Sequence, residues 1–289
     1  MKYKLQYIIF KIFKTVIELL PEKINFSFAS FLGKISYYLV KKRRQIALAN
    51  LKLAFPEKTE AQREKIAKKS FIVMAKGFLS TLWFDSYLKK PQNIKIVGIE
   101  NLDEAIEKKK GVMVAMIHMG NMEASLKMAQ HYNVVSVAKK QRNPYIDKFI
   151  TESRKKMNMT ILKKSKTTTR ELLKYISPDN IIALFSDHRD KGAEVEFFGE
   201  NTVAPTGAVS LALKYDMPIL LAYNVLHDNN TCTSYISEEI SLVKTDSFKH
   251  DVQYNTQLLI NKMERIITQY PEQWMWFHDR WKLYKKLYV

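Results

Sequence analysis

Between Ile94 and Ser237 the chain alternates short, β-rich apolar runs with helix-like stretches, and this alternation restricts the fold more than any other feature. Six runs read as strands, over residues 94–97, 112–117, 134–138, 181–186, 219–225 and 231–237. They are short, apolar and bounded by turn residues, as buried strands are. Helical patterns fall between them near 103–109, 124–131, 144–157, 167–177 and 206–215. Strands and helices taken in turn predict an α/β fold, with a central mixed, largely parallel sheet flanked by helices. Residues 1–90 read as helical, with Pro21 and Pro56 as punctuation and Thr59-x-x-Gln62 as a capping box; 247–270 read as helical again. We divide the chain into N-terminal amphipathic, membrane-anchoring helices over 1–45 and an α/β domain over 46–289. No internal repeat or Gly/Ser linker is evident.

The N-terminal helix is two-faced. Lys4, Lys11, Lys14 and Glu18 share one side, and Leu5, Ile8, Ile9, Ile12, Val16 and Leu19 the other. The aromatic-rich segment after it ends in Lys41-Lys42-Arg43-Arg44. An apolar stripe followed by a basic flank predicts contact with a membrane surface, peripheral or single-pass. The stretch lacks about 18 uninterrupted apolar residues, which weakens the spanning reading, and no signal-peptide cleavage site follows. The net charge of +18, from 47 Lys+Arg against 29 Asp+Glu, calls for an anionic partner. Nucleic acid, an acidic membrane face, a phosphorylated substrate and an acidic carrier protein all satisfy it. The single cysteine, Cys232, excludes a disulfide framework and a Cys-rich zinc site, and suits a reducing compartment as a packed thiol.

Chemistry concentrates where the strands end. In open α/β sheets, sites collect beyond the carboxyl ends of the strands. The apolar run 112–117 is followed by His118-Met119-Gly120-Asn121-Met122-Glu123, and the run 181–186 by Asp187-His188-Arg189. Glu123 opens the next helical pattern, where the dipole favours its ionised form. A carboxylate there is suited to orient His118 and stabilise its charged state, leaving the imidazole a general base near neutral pH. Convergence of the two strand exits would place Asp187 in the same cleft. Alternatively Asp187 caps its own turn, and His118 is a surface residue.

With these motifs in view, the chain resembles the bacterial lipid A biosynthesis acyltransferases, the lauroyl/myristoyl-type enzymes of the lysophospholipid acyltransferase superfamily. Four ordered blocks carry the resemblance. RRQIALANLKLAFPEKTEAQREKIA matches through Asn50, Phe55 and Pro56; His118-x4-Glu123 matches the catalytic block; DHRDKGAEVEFFGENTVAPTGAVSLA matches through Asp187, Gly192, Phe198, Gly199, Thr206 and Gly207; PEQWMWFHDRWK carries Trp274, Trp276 and Trp281. Two departures stand out. Lys139 occupies the place of a family arginine, with Arg142 nearby, and loses the bidentate fork of a guanidinium. The C-terminal His278-Asp279-Arg280 adds an acid to a basic patch, while a downstream arginine is preserved as Arg154.

The resemblance implies acyl transfer from an acyl carrier protein thioester, or from acyl-CoA, to a hydroxyl of a lipid A precursor at the cytoplasmic face of the bacterial inner membrane. It implies no cofactor and no metal, with His118 and Glu123 catalytic. A base must take the hydroxyl proton, and donors must stabilise the oxyanion formed at the thioester. Gly120, Asn121, Lys139, Arg154, Asp187, Arg189, Gly199, Thr206 and Gly207 are the candidate substrate-binding residues. Individual roles stay open, since Phe198-Gly199 also reads as core plus turn, and Thr206-Gly207 as a helix start. The C-terminal tryptophans read equally as core or as interface anchors.

Three rivals remain. The same chemistry serves a different glycolipid or a lysophospholipid acceptor. His118, Glu123, Asp187 and His188 also make a ligand set for a metal hydrolase, although the spacing is not that of a zinc helix. A nucleic-acid-binding module is permitted by charge but shows no recognisable motif, so no nucleic-acid partner is expected. Acyl length, the hydroxyl acylated and the donor are not legible in the chain.

Overall fold

A computed structural model describes residues 1–288 of the protein. Five helices come first: α1 (Lys2–Leu19), α2 (Glu22–Leu39), α3 (Lys41–Ala54), α4 (Glu60–Ser80) and α5 (Phe84–Leu88). The alternating part follows: β1 (Ile94–Val97), α6 (Ile99–Glu107), β2 (Val112–Met116), α7 (Leu126–Ala129), β3 (Asn133–Ala138), α8 (Pro144–Lys155), β4 (Met159–Lys163), α9 (Thr168–Leu173) and β5 (Asn180–Phe185). A hairpin of β6 (Ala193–Phe197) and β7 (Glu200–Ala204) leads into α10 (Gly207–Tyr215), β8 (Ile219–Leu226), β9 (Cys232–Ile236), α11 (Phe248–Gln269) and α12 (Leu283–Tyr288).

Seven strands form one sheet in the order β1-β9-β8-β2-β5-β3-β4, parallel throughout except for the antiparallel β8–β9 pair. The expected mixed, largely parallel sheet is therefore present, and all six anticipated strands are in it. The central strand β2 is apolar and buried at every position because helices cover both faces. Met113 and Ala115 of β2 face one core cluster while Val112, Val114 and Met116 face the other, the two-residue alternation of a pleated strand. Three strands were not anticipated. β4 follows a helix without a clear break, and β6 and β7 lie in the Asp187–Ala208 block, where glycines suggest loop; yet β6 buries alternate residues on α11.

The Thr59 capping box forms, with Gln62 Oε1 accepting from the Thr59 N–H at 2.8 Å. Residue 45 lies inside α3, and α2 and α3 both pack on α4. The two-faced α1 touches the body through aromatic contacts to α8, Tyr7 on Tyr145 and Phe10 on Phe149. Its stripe of Leu5, Ile8, Ile9, Ile12, Val16 and Leu19 stays exposed, Leu19 at 80% and Ile12 at 61%. Phe28, Phe31 and Leu39 of α2 are exposed as well. Among the described residues no helix is long and apolar enough to cross a membrane. The C-terminal tryptophans Trp274, Trp276 and Trp281 are core, each at most 6% exposed.

Candidate active site

β2 and β5 are neighbours in register, Val112 opposite Ile181 through Met116 opposite Phe185. Continuing that register two residues beyond the strands sets His118 beside Asp187. The Asp187 carboxylate accepts the His118 backbone N–H on Oδ2 at 2.9 Å and faces His118 Nδ1 with Oδ1 at 2.7 Å. Trp274 donates its indole N–H to the same Oδ2 at 2.7 Å. Arg280 donates from Nε to the Asp187 carbonyl at 2.9 Å. An ionised carboxylate is acceptor-only, so the proton belongs on Nδ1. Nε2 is then the basic nitrogen, and it has no hydrogen-bond partner among the described residues. The imidazole stacks on Phe185 with centroids 4.0 Å apart, which fixes its plane.

Asp187 is buried, at 1% exposure. Burial alone would raise its pKa, but the His118 charge and ring N–H, the Trp274 indole and the His118 backbone N–H outweigh it and hold the carboxyl well below the usual range. Arg280 is fully buried; burial lowers its pKa to about 10, so it stays charged at neutral pH. It also binds Thr202 Oγ1 and the Val203 carbonyl, both at 2.8 Å, and thereby ties the end of the chain to the hairpin and to Asp187.

The expected partnership of His118 with Glu123 is replaced in this arrangement. Arg154 takes the Glu123 carboxylate with both terminal nitrogens, Nη2 to Oε1 at 2.6 Å and Nη1 to Oε2 at 2.5 Å. Both side chains are largely buried. The reason is local. Met122–Ser125 is a tight 3-10 turn rather than the start of a long helix, capped by Asn121 Oδ1 on the Glu123 N–H at 3.1 Å. The pair therefore locks the loop after His118 to α8.

The remaining candidates sort by what they touch. Gly120 has φ +57, and a Cβ there would lie 2.4 Å from the Asn224 carbonyl. Its N–H donates to the Gln273 carbonyl at 2.9 Å. Asn121 is fully buried, and its Oδ1 caps the turn at the Glu123 N–H. Asn121 Oδ1 also accepts from Ser80 Oγ at 3.0 Å. Both residues thus build the loop after His118. Gly77 of α4 completes the fit, since a Cβ there would sit 2.7 Å from the Gly120 carbonyl. Gly199, with φ +73 after Phe198 at +54, is the tip of the β6–β7 turn, and nothing lies within 4 Å of where its Cβ would be. That conformation favours glycine for the turn itself. Thr206 and Gly207 begin α10, whose first bond runs from the Ser210 N–H to the Thr206 carbonyl. Arg189 donates its N–H to His278 Nε2 at 3.3 Å and its Nη1 to Thr202 Oγ1 at 3.1 Å, bracing the Asp187 loop. Lys139 stands exposed where β3 ends.

His188 stands edge-on to His118, with centroids 5.9 Å apart. One donor atom each from His118, Asp187 and His188 lies within 4.8 Å of the others. At 2.7 Å, His118 Nδ1 and Asp187 Oδ1 are hydrogen-bonded to one another, closer than two ligands of one tetrahedral ion at ~3.3 Å. Glu123, the fourth member of the hydrolase set, is held by Arg154. Sequence reasoning missed Trp274 and Arg280 as the braces of Asp187, although both lie in the C-terminal block.

The ends of β2 and β5 thus present a histidine at the carboxyl edge of a largely parallel sheet, its ring held by a buried carboxylate. The comparisons name the class as acyltransferase. Residues 2–283 match the family model described as bacterial lipid A biosynthesis acyltransferase, and the chain belongs to that family. It is 25% identical over 271 residues to the lipid A biosynthesis lauroyltransferase of Escherichia coli strain K12, covering 91% of this chain and 87% of that one. The lipid A biosynthesis palmitoleoyltransferase of the same organism is 23% identical over 274 residues, covering 91% and 86%. The phosphatidylinositol mannoside acyltransferase of Mycolicibacterium smegmatis is 23% identical over 197 residues, covering 66% and 63%.

Proposed function

We propose that this acyltransferase moves a fatty acyl group from an acyl carrier protein thioester to a hydroxyl of a lipid A precursor, working at the cytoplasmic face of the inner membrane. The observation that carries the reading is the single Asp187 carboxylate gripping both the backbone and the ring of His118. His118 Nε2 takes the hydroxyl proton as the oxygen attacks the thioester carbon. Asp187 keeps Nδ1 protonated and stabilises the imidazolium that forms, the role of the acid in a Ser-His-Asp triad. Collapse of the tetrahedral intermediate breaks the C–S bond, and the imidazolium returns its proton to the leaving thiolate. Glu123 acts as a positioning residue through Arg154. The exposed apolar stripe of α1, with the basic residues around it, supports peripheral attachment to an anionic bilayer.

The test incubates purified protein with phosphorylated, acylated glucosamine disaccharides and a panel of acyl carrier protein and CoA donors, with product mass as the readout. Ester formation on a hydroxyacyl chain from a carrier-protein donor is expected; hydrolysis alone, or no transfer with any donor, refutes the reading. The mycobacterial relative favours one second reading, in which the same base serves another glycolipid. Transfer only to such an acceptor would establish it.

A further inference from the structure

α3 turns an apolar face inward through Ile46, Ala47 and Leu51, and one polar side chain, Asn50, lies on that face with no exposure to solvent. Its Nδ2 donates to the Trp276 carbonyl at 2.8 Å and to the His278 carbonyl at 2.7 Å. Both amide hydrogens are thereby used, while Oδ1 has no partner among the described residues. A buried acceptor left unsatisfied is costly, so an amide at this place is kept for the two bonds it donates. We propose that Asn50 is a positioning residue for the proton-transfer site: it bends the segment 274–280 so that Trp274 and Arg280 close on Asp187 together. This rests on the role given to His118 above.

Residues 275–282 lie in neither helix nor strand, so their path is set by what grips them. Two carbonyls that share one nitrogen at these distances are at most ~5.5 Å apart, against ~6.6 Å for residues two apart along a strand. The chain is therefore curled around Asn50. The curl matters because both ends of the segment serve one residue. Trp274 donates its indole N–H to Asp187 Oδ2 at 2.7 Å, and Arg280 donates Nε to the Asp187 carbonyl at 2.9 Å. Fully extended, the stretch between them would span ~20 Å.

The other anchors leave the bend to Asn50. Ser70 Oγ of α4 donates to the Trp274 carbonyl at 2.5 Å and fixes the start of the segment. Arg280 Nη1 fixes the far end on Thr202 Oγ1 and the Val203 carbonyl. Between them, Arg43 Nη1 reaches the Phe277 carbonyl at 3.1 Å, but that side chain is exposed and water competes for it. Asn50 is the buried side chain that ties the middle. The same segment pairs with the loop after His118, through a bridge between Met119 and Trp274 and the Gly120 N–H on the Gln273 carbonyl. Asn50 bonds neither His118 nor Asp187, so it acts on the base through the segment.

The experiment uses the full chain and three variants. Asn50→Leu keeps the branched shape without the donors, and Asn50→Ser keeps one hydroxyl donor. Ile46→Ala, on the same buried face, removes apolar packing and no hydrogen bond. Nitrogen NMR of labelled tryptophan, assigned with Trp274→Phe, reads the Trp274 indole N–H; steady-state transfer reads kcat and KM. In Asn50→Leu the indole signal should move upfield, and kcat should fall about tenfold with KM within about twofold, since a misplacement of ~1 Å costs up to ~100-fold. Asn50→Ser should fall between it and the wild type. Ile46→Ala should melt lower with the indole signal in place and kcat within about twofold. In an Asp187→Asn background, Asn50→Leu should cost little more, because its path to the base is gone. An indole signal unmoved in both Asn50 variants overturns the inference. So does an equal movement in Ile46→Ala, or a full tenfold loss on top of Asp187→Asn. Should Asn50→Leu fail to fold, the serine variant gives the same readings. The indole signal needs no substrate, so wild-type protein that forms no ester would fault the proposed function while the signal still judges Asn50.

Discussion

Replacing Asp187 by Asn tests the geometry directly, because the carboxylate makes three bonds that an amide cannot all reproduce. Oδ2 accepts from the His118 N–H and the Trp274 indole, and Oδ1 faces His118 Nδ1. If the amide oxygen takes the Oδ1 position, two buried N–H groups point at an NH2. If it takes the Oδ2 position, both are satisfied, and the NH2 donates to Nδ1. The second arrangement is favoured, and it forces the proton onto Nε2, where the base must act. The fold survives at a cost of roughly 1.5–3 kcal/mol for one charged hydrogen bond in the interior. The transfer rate falls by about 10³–10⁴, or ~4–5.5 kcal/mol of barrier, by analogy with loss of the tautomer-fixing acid in a triad. Steady-state kcat with carrier-protein donor measures the rate, and nitrogen NMR of the labelled imidazole reads the tautomer. A variant within tenfold of wild type would refute the argument, as would a wild-type His118 carrying its proton on Nε2.

Gly77→Ala should lower both melting temperature and kcat, the latter by about tenfold or more, because its Cβ meets the Gly120 carbonyl at 2.7 Å and displaces the His118 loop. A gain near the ~1 kcal/mol helix-propensity difference with kcat unchanged would show that the contact yields. Glu123→Gln and Arg154→Met should each reduce transfer, and the double variant should lose little beyond the worse single one; additive losses in the cycle would mean that the two act separately. Burial lowers the pKa of His188 and of His278 below the ordinary value of about 6.5. Unfolded chains therefore take up protons first, so melting temperature should hold above pH ~7 and fall on acidification below ~6.5, a slope that His188→Gln and His278→Gln should flatten. Unchanged slopes in both would contradict this. Ile9→Asp with Ile12→Asp should abolish flotation with anionic vesicles while leaving secondary structure intact, since both side chains are exposed; retained flotation would move the contact elsewhere.

Much of this was legible in residues alone. Apolar runs bounded by turns fixed the six strands, because a buried strand needs little more than length and hydrophobicity. The helical N-terminus, its two-faced first helix and the Thr59 cap followed from spacing along one helix. His118 and Asp187 were both marked by their position after a core strand. The short hairpin was missed although β6 alternates AEVEF, since flanking glycines read more strongly as loop.

The pairing of those marked residues belongs to the tertiary structure. A chain shows His118 and Glu123 as near neighbours and places Asp187 69 positions away. Distance along the chain is a poor guide here: parallel strands carry equal registers, and only the sheet order puts β5 against β2. Once they are adjacent, Asp187 lies beside His118, Glu123 is turned to Arg154 by a 3-10 turn, and Trp274 and Arg280 arrive from the far end of the chain to brace the anion. Local chemistry determined which groups were available, and long-range packing decided which of them meet.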